Sequence, residues 1–253
     1  MTRSSILLAL CACVAAALPT AADADAIATD RPDFVESSDV VGRGRIQVET
    51  GMSFERREGQ RTRSTPLLLR VGISETLELR LETDGLMRVS GGERGFADAS
   101  PGLKWHLRDG DEASGTPGLA LLAHVDVDSG SAAFRGNGLR PSLRGVAEWE
   151  LANDVAFGVM PGLVWDREAG GRRFVAGILA ATLSKGLAPG WRGFVELAGQ
   201  QLTSKKHGGN VVTFDVGVTW LLSDSLQLDL SAARGLTHNT PTLQWGLGLA
   251  ARF

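Results

Sequence analysis

The sequence predicts an all-β chain: a closed antiparallel transmembrane β-barrel of about 12 strands, with short periplasmic turns and longer external loops. Three observations predict it. The last stretch of the chain alternates with a period of two, placing Leu243, Trp245, Leu247, Leu249, Ala251 and Phe253 on one face and Gln244, Gly246, Gly248, Ala250 and Arg252 on the other. The same alternation recurs about a dozen times along the chain, separated by turn residues. The chain also opens with a sequence of the secretory-signal type. A long apolar strand at a terminus is an aggregation hazard in a soluble protein. In a membrane barrel it pairs with the first strand and leaves no edge.

The opening residues carry Arg3, an apolar run from Ile6 to Leu18, Pro19, and then small residues around Ala22 and Ala24. The run falls short of the roughly 20 apolar residues a spanning helix needs. Residues 1–24 are therefore expected to be a signal peptide, residues 25–44 a periplasmic lead-in segment, and residues 45–253 an outer-membrane β-barrel. Cys11 and Cys13, the only cysteines, both lie in that first part, so the mature chain has neither disulfide nor thiolate metal site. A net charge of −3 argues against a nucleic-acid binder. No cofactor is expected. The 32 glycines are spread along the chain rather than gathered in a linker, which argues for one domain. Tyrosine is absent, so the six tryptophans must supply the aromatic girdle.

Residues 28–44 are polar and turn-rich, and read as a periplasmic lead-in or a plug-like segment rather than a strand. The first strand is expected over residues 45–55, with Ile46, Val48, Thr50, Met52 and Phe54 facing one way. Residues 56–64 read as a polar loop. Leu67, Leu69 and Val71, the turn Ser74-Glu75-Thr76, then Leu77, Leu79 and Leu81 make the clearest hairpin. Strands follow around Leu103 to Leu107, Leu119 to Val127, and Leu139 to Leu151. After the turn Ala152-Asn153-Asp154, further strands run through Phe157, Leu179 and Leu197. The strand through Phe214 and the turn Ser223-Asp224-Ser225 lead to Leu226, Leu228 and Leu230, and the terminal strand closes the set. Short connections alternate with longer ones, such as residues 84–94, 128–138 and 234–241. Only residues 108–116 are too long for a tight turn on the side where one is expected. A soluble β-sandwich or lipocalin-like barrel would show the same alternation with the apolar face turned inward. Strand number, the leader and charges of both signs on the polar face favour the membrane.

Thr29-Asp30-Arg31-Pro32-Asp33-Phe34, followed by Gly44 and Gln47-Val48-Glu49-Thr50-Gly51, resembles the N-terminal signature of a family of bacterial outer-membrane proteins: transporters of the phenol meta-degradation pathway, the MetA-pathway of phenol degradation type. Leu69-Arg70-Val71-Gly72-Ile73 with Leu77-Glu78-Leu79-Arg80 is similar to a second block, and Ala97-Asp98-Ala99-Ser100-Pro101-Gly102-Leu103-Lys104-Trp105 to a third. The resemblance implies a Gram-negative outer-membrane channel for small, aromatic molecules. A last strand ending at Phe253 likewise resembles the pattern that the barrel-assembly machinery recognises.

If the apolar face meets lipid, the charged face lines the lumen. Charges there must pair or meet water. Arg140 and Arg144 sit on one strand facing the same way, and are the first candidates for contacting an anionic or phenolic solute. Arg70, Lys104, Glu148 and Asp126 are the further lumen contacts. Arg70 with Glu78 or Glu82 reads most simply as a structural pair. Trp105, Trp149, Trp165, Trp220 and Trp245 share the outward register; Phe194 falls on the polar face. The expected function is a channel or transporter for small, aromatic or anionic, solutes. The alternative is a structural barrel with a filled lumen. Less favoured is an outer-membrane lipid hydrolase: His106, His124, His207 and His238 show no zinc spacing, and there is no G-x-S-x-G elbow.

Overall fold

The computed structural model describes residues 26–168 and 170–253. Residues 1–24, expected to be the signal peptide, lie outside the described residues. Among the described residues no helix is long and apolar enough to cross a membrane; the chain is built of strands.

The strands are β1 (Ile46–Arg57), β2 (Gln60–Ser64), β3 (Leu67–Gly72), β4 (Leu77–Thr83), β5 (Leu86–Val89), β6 (Arg94–Phe96), β7 (Ala99–Arg108), β8 (Gly118–Asp126), β9 (Arg140–Leu151), β10 (Val155–Arg167), β11 (Arg173–Ala188), β12 (Trp191–Leu202), β13 (Val211–Ser223), β14 (Leu226–Gly235) and β15 (Leu243–Arg252). Twelve of them close a barrel in the order β1, β3, β4 and then β7 through β15, each antiparallel to the next. β15 returns to β1 over ten residue pairs, from Gln47↔Arg252 to Arg56↔Leu243. Phe253 N donates to Ile46 O and Ile46 N to Phe253 O, at 2.8 and 3.1 Å. Closure leaves the terminal strand no free edge, as its apolar alternation requires.

The side-chain faces decide between a membrane and a soluble barrel. Trp105 is 54% exposed while its neighbour Lys104 is wholly buried. The same inversion holds in β1, where Gln47 and Glu49 are buried and Ile46 and Met52 exposed. A soluble barrel would bury the tryptophan and expose the lysine. An apolar outer face over a polar interior is the arrangement that lipid demands, and the chain is an outer-membrane β-barrel. Outward aromatic rings pair at the belt: Phe54 stacks on Trp245 at 4.0 Å and Trp191 on Trp220 at 4.9 Å.

The start of β1 and the end of β15 lie at one rim, here the terminal end, together with the turns at Ser74-Glu75-Thr76 and Asn153-Asp154. The long connection after β7 is also at this rim, folded on itself by an isolated bridge between Asp111 and Thr116. The opposite rim is the loop end. There residues 56–64 are not a loop. β1 continues and turns through Glu58-Gly59, both at positive φ, directly into β2. That is the two-residue turn whose twist suits a hairpin. β2, β5 and β6 extend β3, β4 and β7 beyond the barrel, as a small sheet growing from β1. They stand beyond the closed barrel, where lipid and lumen no longer impose opposite demands, so no apolar alternation marks them.

Candidate functional site: a lumen divided by the N-terminal segment

Residues 27–41 run inside the barrel, and the inward side chains are arranged around them. Four wall glutamates hold the segment by its backbone. Glu49 accepts the amides of Asp30 and Arg31 at 3.1 and 3.0 Å. Glu196 accepts those of Phe34 and Val35 at 2.8 and 2.7 Å. Glu148 accepts Ser38 N and Glu78 accepts Val41 N, at 3.1 and 2.9 Å. The segment has no strand partner for these amides, and a buried amide needs an acceptor. A carboxylate supplies one of the stronger kind.

Side chains complete the seat. Asp30 receives Lys104 Nζ at 2.8 Å, and also pairs with Arg80 and Arg70. Arg70 donates to Glu78 at 2.8 Å, to Glu49 at 3.2 Å and to the carbonyl of Ala28 at 2.9 Å. Arg80 and Arg144 both reach Glu36, at 2.6 and 3.0 Å. Arg31 crosses to Asp229 at 3.3 Å. Arg70, Lys104, Glu49 and Glu78 are wholly buried. Such a network is stabilising only when each member is matched.

Part of the wall is apolar. Ala120, Leu122, Val146, Met160, Ala180 and Ala198 form a buried patch that receives Val35, with Phe34 packed against it. Phe194 also points inward and is buried, as its register indicated. Two glycines make room for the segment. A Cβ on Gly72 would sit 1.7 Å from the carbonyl oxygen of Gly42, and one on Gly118 would sit 2.6 Å from Ser38 Oγ.

Two cavities remain, one on either side of the segment. The loop-end cavity is about 420 Å³ and includes Phe34, Glu82, Asp98, Asp126, Arg144 and Asp215 in its lining. The terminal-end cavity is about 640 Å³ and includes Val35, Glu148, Glu150, Arg192, Phe194 and Gln227. Arg31, Asp33 and Glu36 line both, so the segment is the septum between them. Carboxylates outnumber basic groups in both linings.

The residues singled out from sequence separate into three groups. Arg70 and Lys104 lie in the ion network, and Arg70 pairs with Glu78. Arg144, Asp126 and Glu148 line cavities, Arg144 with its guanidinium 5.8 Å from the Phe34 ring centre. Arg140 lines neither. It pairs with Asp98 at 2.8 Å, Asp126 at 3.5 Å and Asp166 at 3.7 Å, where the loop after β8 folds in. Asp98, between β6 and β7, also accepts Gly136 N and Gly130 N at 2.7 and 2.9 Å. Burial opposes its ionisation, but Arg140 and these two amides outweigh that and hold the carboxyl below its ordinary range. Sequence reasoning missed the roles of Asp30 and Glu36. The one signal was the charge density of the run from Asp30 to Glu36 in a segment with no strand periodicity.

Among the described residues no serine hydroxyl is hydrogen-bonded to a histidine ring. His106 Nδ1 meets the Ser38 carbonyl, His124 Nε2 accepts from Arg80, and His207 Nδ1 meets Glu168 at 2.6 Å.

The fold is shared with solved outer-membrane barrels. The COG4313 outer membrane channel from Pseudomonas putida F1 matches with a TM-score of 0.57 and 17% identity, over 88% of this chain and 99% of that one. The KdgM porin matches with a TM-score of 0.55 and 12% identity, over 82% and 99%. The NanC porin matches with a TM-score of 0.53 and 10% identity, over 81% and 98%. These relatives are channels or porins. No curated protein matches the sequence. The model of the family described as "Putative MetA-pathway of phenol degradation" matches residues 29–253, from the signature in the lumen to the closing strand, and the chain belongs to that family.

Proposed function

We propose that this barrel is a channel for small solutes, aromatic in preference to anionic. The observation that carries the reading is the pair of cavities, each within the roughly 300–1,000 Å³ of small-ligand sites, on opposite sides of one narrow septum. A side-chain-filled structural barrel would leave no such space. The preference follows from the lining. Excess carboxylate repels anions, while Phe34 and Arg144 offer a ring face and a donor to a phenolic hydroxyl in the loop-end cavity. Solute crosses when residues 27–41 shift, because they separate the two chambers. The family's description and the channel relatives support this reading.

The barrel does no bond chemistry in this reading. Three of its four histidines, His106, His124 and His207, are engaged by a carbonyl, an arginine and a carboxylate rather than by a nucleophile. The terminal end faces the periplasm and the loop end the outside, since the short turns gather at the terminal rim. The closing strand, ending at Phe253, is what the barrel-assembly machinery engages. Residues 1–24 serve as the export signal.

Uptake into liposomes carrying the refolded protein tests the function. Phenols should enter faster than aromatic carboxylates of equal size, and Arg144→Ala should slow the phenols by about threefold to tenfold, the loss of one charge-assisted contact. Entry of sugars, phenols and carboxylates at the rate of empty liposomes would overturn the channel reading.

A further inference from the structure

The small sheet beyond the loop end carries an arginine-rich outer face. Phe54 faces lipid, and a directly opposed residue on an antiparallel neighbour points the same way. Phe54 opposes Arg63 and Arg56 opposes Arg61. Arg63 opposes Arg88, which opposes Arg94. All five arginines therefore share the face of Phe54, and all five are exposed. Arg63, Arg88 and Arg94 form a row across three strands, with neighbouring strands about 4.8 Å apart. Among the described residues none of the five side chains has an ion-pair or hydrogen-bond partner; Arg63 lies only against the Phe54 ring, at 5.3 Å. Like charges set directly opposite one another destabilise a sheet. Arg70, Arg80, Arg140 and Arg144 are each matched by carboxylates, and the arginines of this row are not.

Its height on the barrel says what would match it. The Phe54–Trp245 stack belongs to the outward aromatic belt. Arg56 is two residues further along β1, about 7 Å beyond Phe54 at the usual strand rise. The row thus continues the lipid-facing surface at the level where the apolar layer gives way to headgroups. Exposed Phe96 and Leu86 oppose each other on the same face, beside Arg94 and Arg88, so the patch offers both a charged and an apolar contact. A guanidinium row takes phosphate oxygens two at a time.

We propose that this face is a docking surface for the phosphorylated, anionic glycolipid headgroups of the outer leaflet, with Arg63, Arg88 and Arg94 holding the phosphates. The proposal takes the loop end as the outer side, the orientation read above, and does not depend on the solute.

The test uses the mature chain refolded in a zwitterionic detergent, titrated with a bis-phosphorylated lipid A and, separately, with the same lipid after dephosphorylation. Bound lipid is counted by native mass spectrometry. The phosphorylated lipid should bind at least about tenfold more tightly, as expected for several charge-assisted contacts. The Arg63→Gln, Arg88→Gln, Arg94→Gln triple variant should lose that difference while keeping its heat-modifiable migration; the corresponding triple Lys variant should retain part of it. Equal binding of the two lipids, an unaffected Gln variant, or displacement by inorganic phosphate at equal concentration would each overturn the proposal. Labelling of Glu93→Cys in intact cells reads the orientation separately. Lipid A binding in detergent with no surface labelling would retire the outward orientation, and with it the outer-leaflet assignment.

Discussion

Asp30 is the residue on which the lumen's charge balance turns. Lys104, Arg80 and Arg70 converge on its carboxylate from β7, β4 and β3. Removing it leaves three enclosed cations sharing fewer acids. Asp30→Ala should cost about 3 kcal/mol, the scale for breaking a buried ion pair from one side. A lowered urea midpoint for the refolded barrel would register the loss. Asp98 governs a second, outer arrangement. Its carboxyl is held below the ordinary value, so its contribution to anchoring residues 130–136 is full above the unfolded value near 4. It is lost as pH falls through the lower folded value. Amide exchange at Gly130 and Gly136, compared with groups of the strands, should quicken selectively in acid, and in Asp98→Asn it should be fast at neutral pH as well. The parity of each strand made these inward residues legible from sequence: Glu49, Arg70, Glu78, Lys104 and Glu196 all fall where alternation puts them. Their shared purpose was not legible. What they bind is an aperiodic segment, and backbone amides leave no mark in a sequence.

At the level of elements, the strands that close the barrel were legible and those that extend beyond it were not. β4 and β15 show clean alternation because lipid and lumen impose opposite demands on successive residues. β2, β5 and β6 stand beyond the closed barrel, and β2 carries arginine on one face and glutamine, threonine and serine on the other, so residues 56–64 read as a loop. β8 departs in another way. Leu119, Leu121 and Ala123 face lipid while Ala120 and Leu122 pack inward against the buried patch that receives Val35, so both of its faces are apolar. The fit of residues 27–41 to the wall can be disturbed from the wall itself. Gly118→Leu has no room beside Ser38 and should unseat the segment there. Ion conductance in a planar bilayer should rise severalfold while the β signal in circular dichroism stays unchanged. Conductance no greater than that of the unaltered protein would mean the segment does not obstruct the lumen at that point.

At the level of the whole molecule, a barrel rests on closure, and closure was the most legible feature of all. The terminal strand alternates over its full length, and every barrel strand before it repeats the demand for an apolar outer face. Twelve strands then follow from the number of such stretches, because the three additional strands prolong existing ones instead of adding new spans. The division of the lumen into two chambers was not legible, since it depends on where a polar lead-in goes after export. That division is the centre of the functional account. The most direct measurement ties the septum to the wall. A Cβ on Gly158 would lie 3.0 Å from Val35 Cγ1, close enough for Val35→Cys and Gly158→Cys to be joined. The only other cysteines, Cys11 and Cys13, fall within the first 24 residues. Liposomes carrying the double variant should take up phenols only slowly when the pair is oxidised, and at the rate of the unaltered protein once a reductant is added. Uptake at the same rate in both states would contradict the account, because solute would then pass without any movement of residues 27–41.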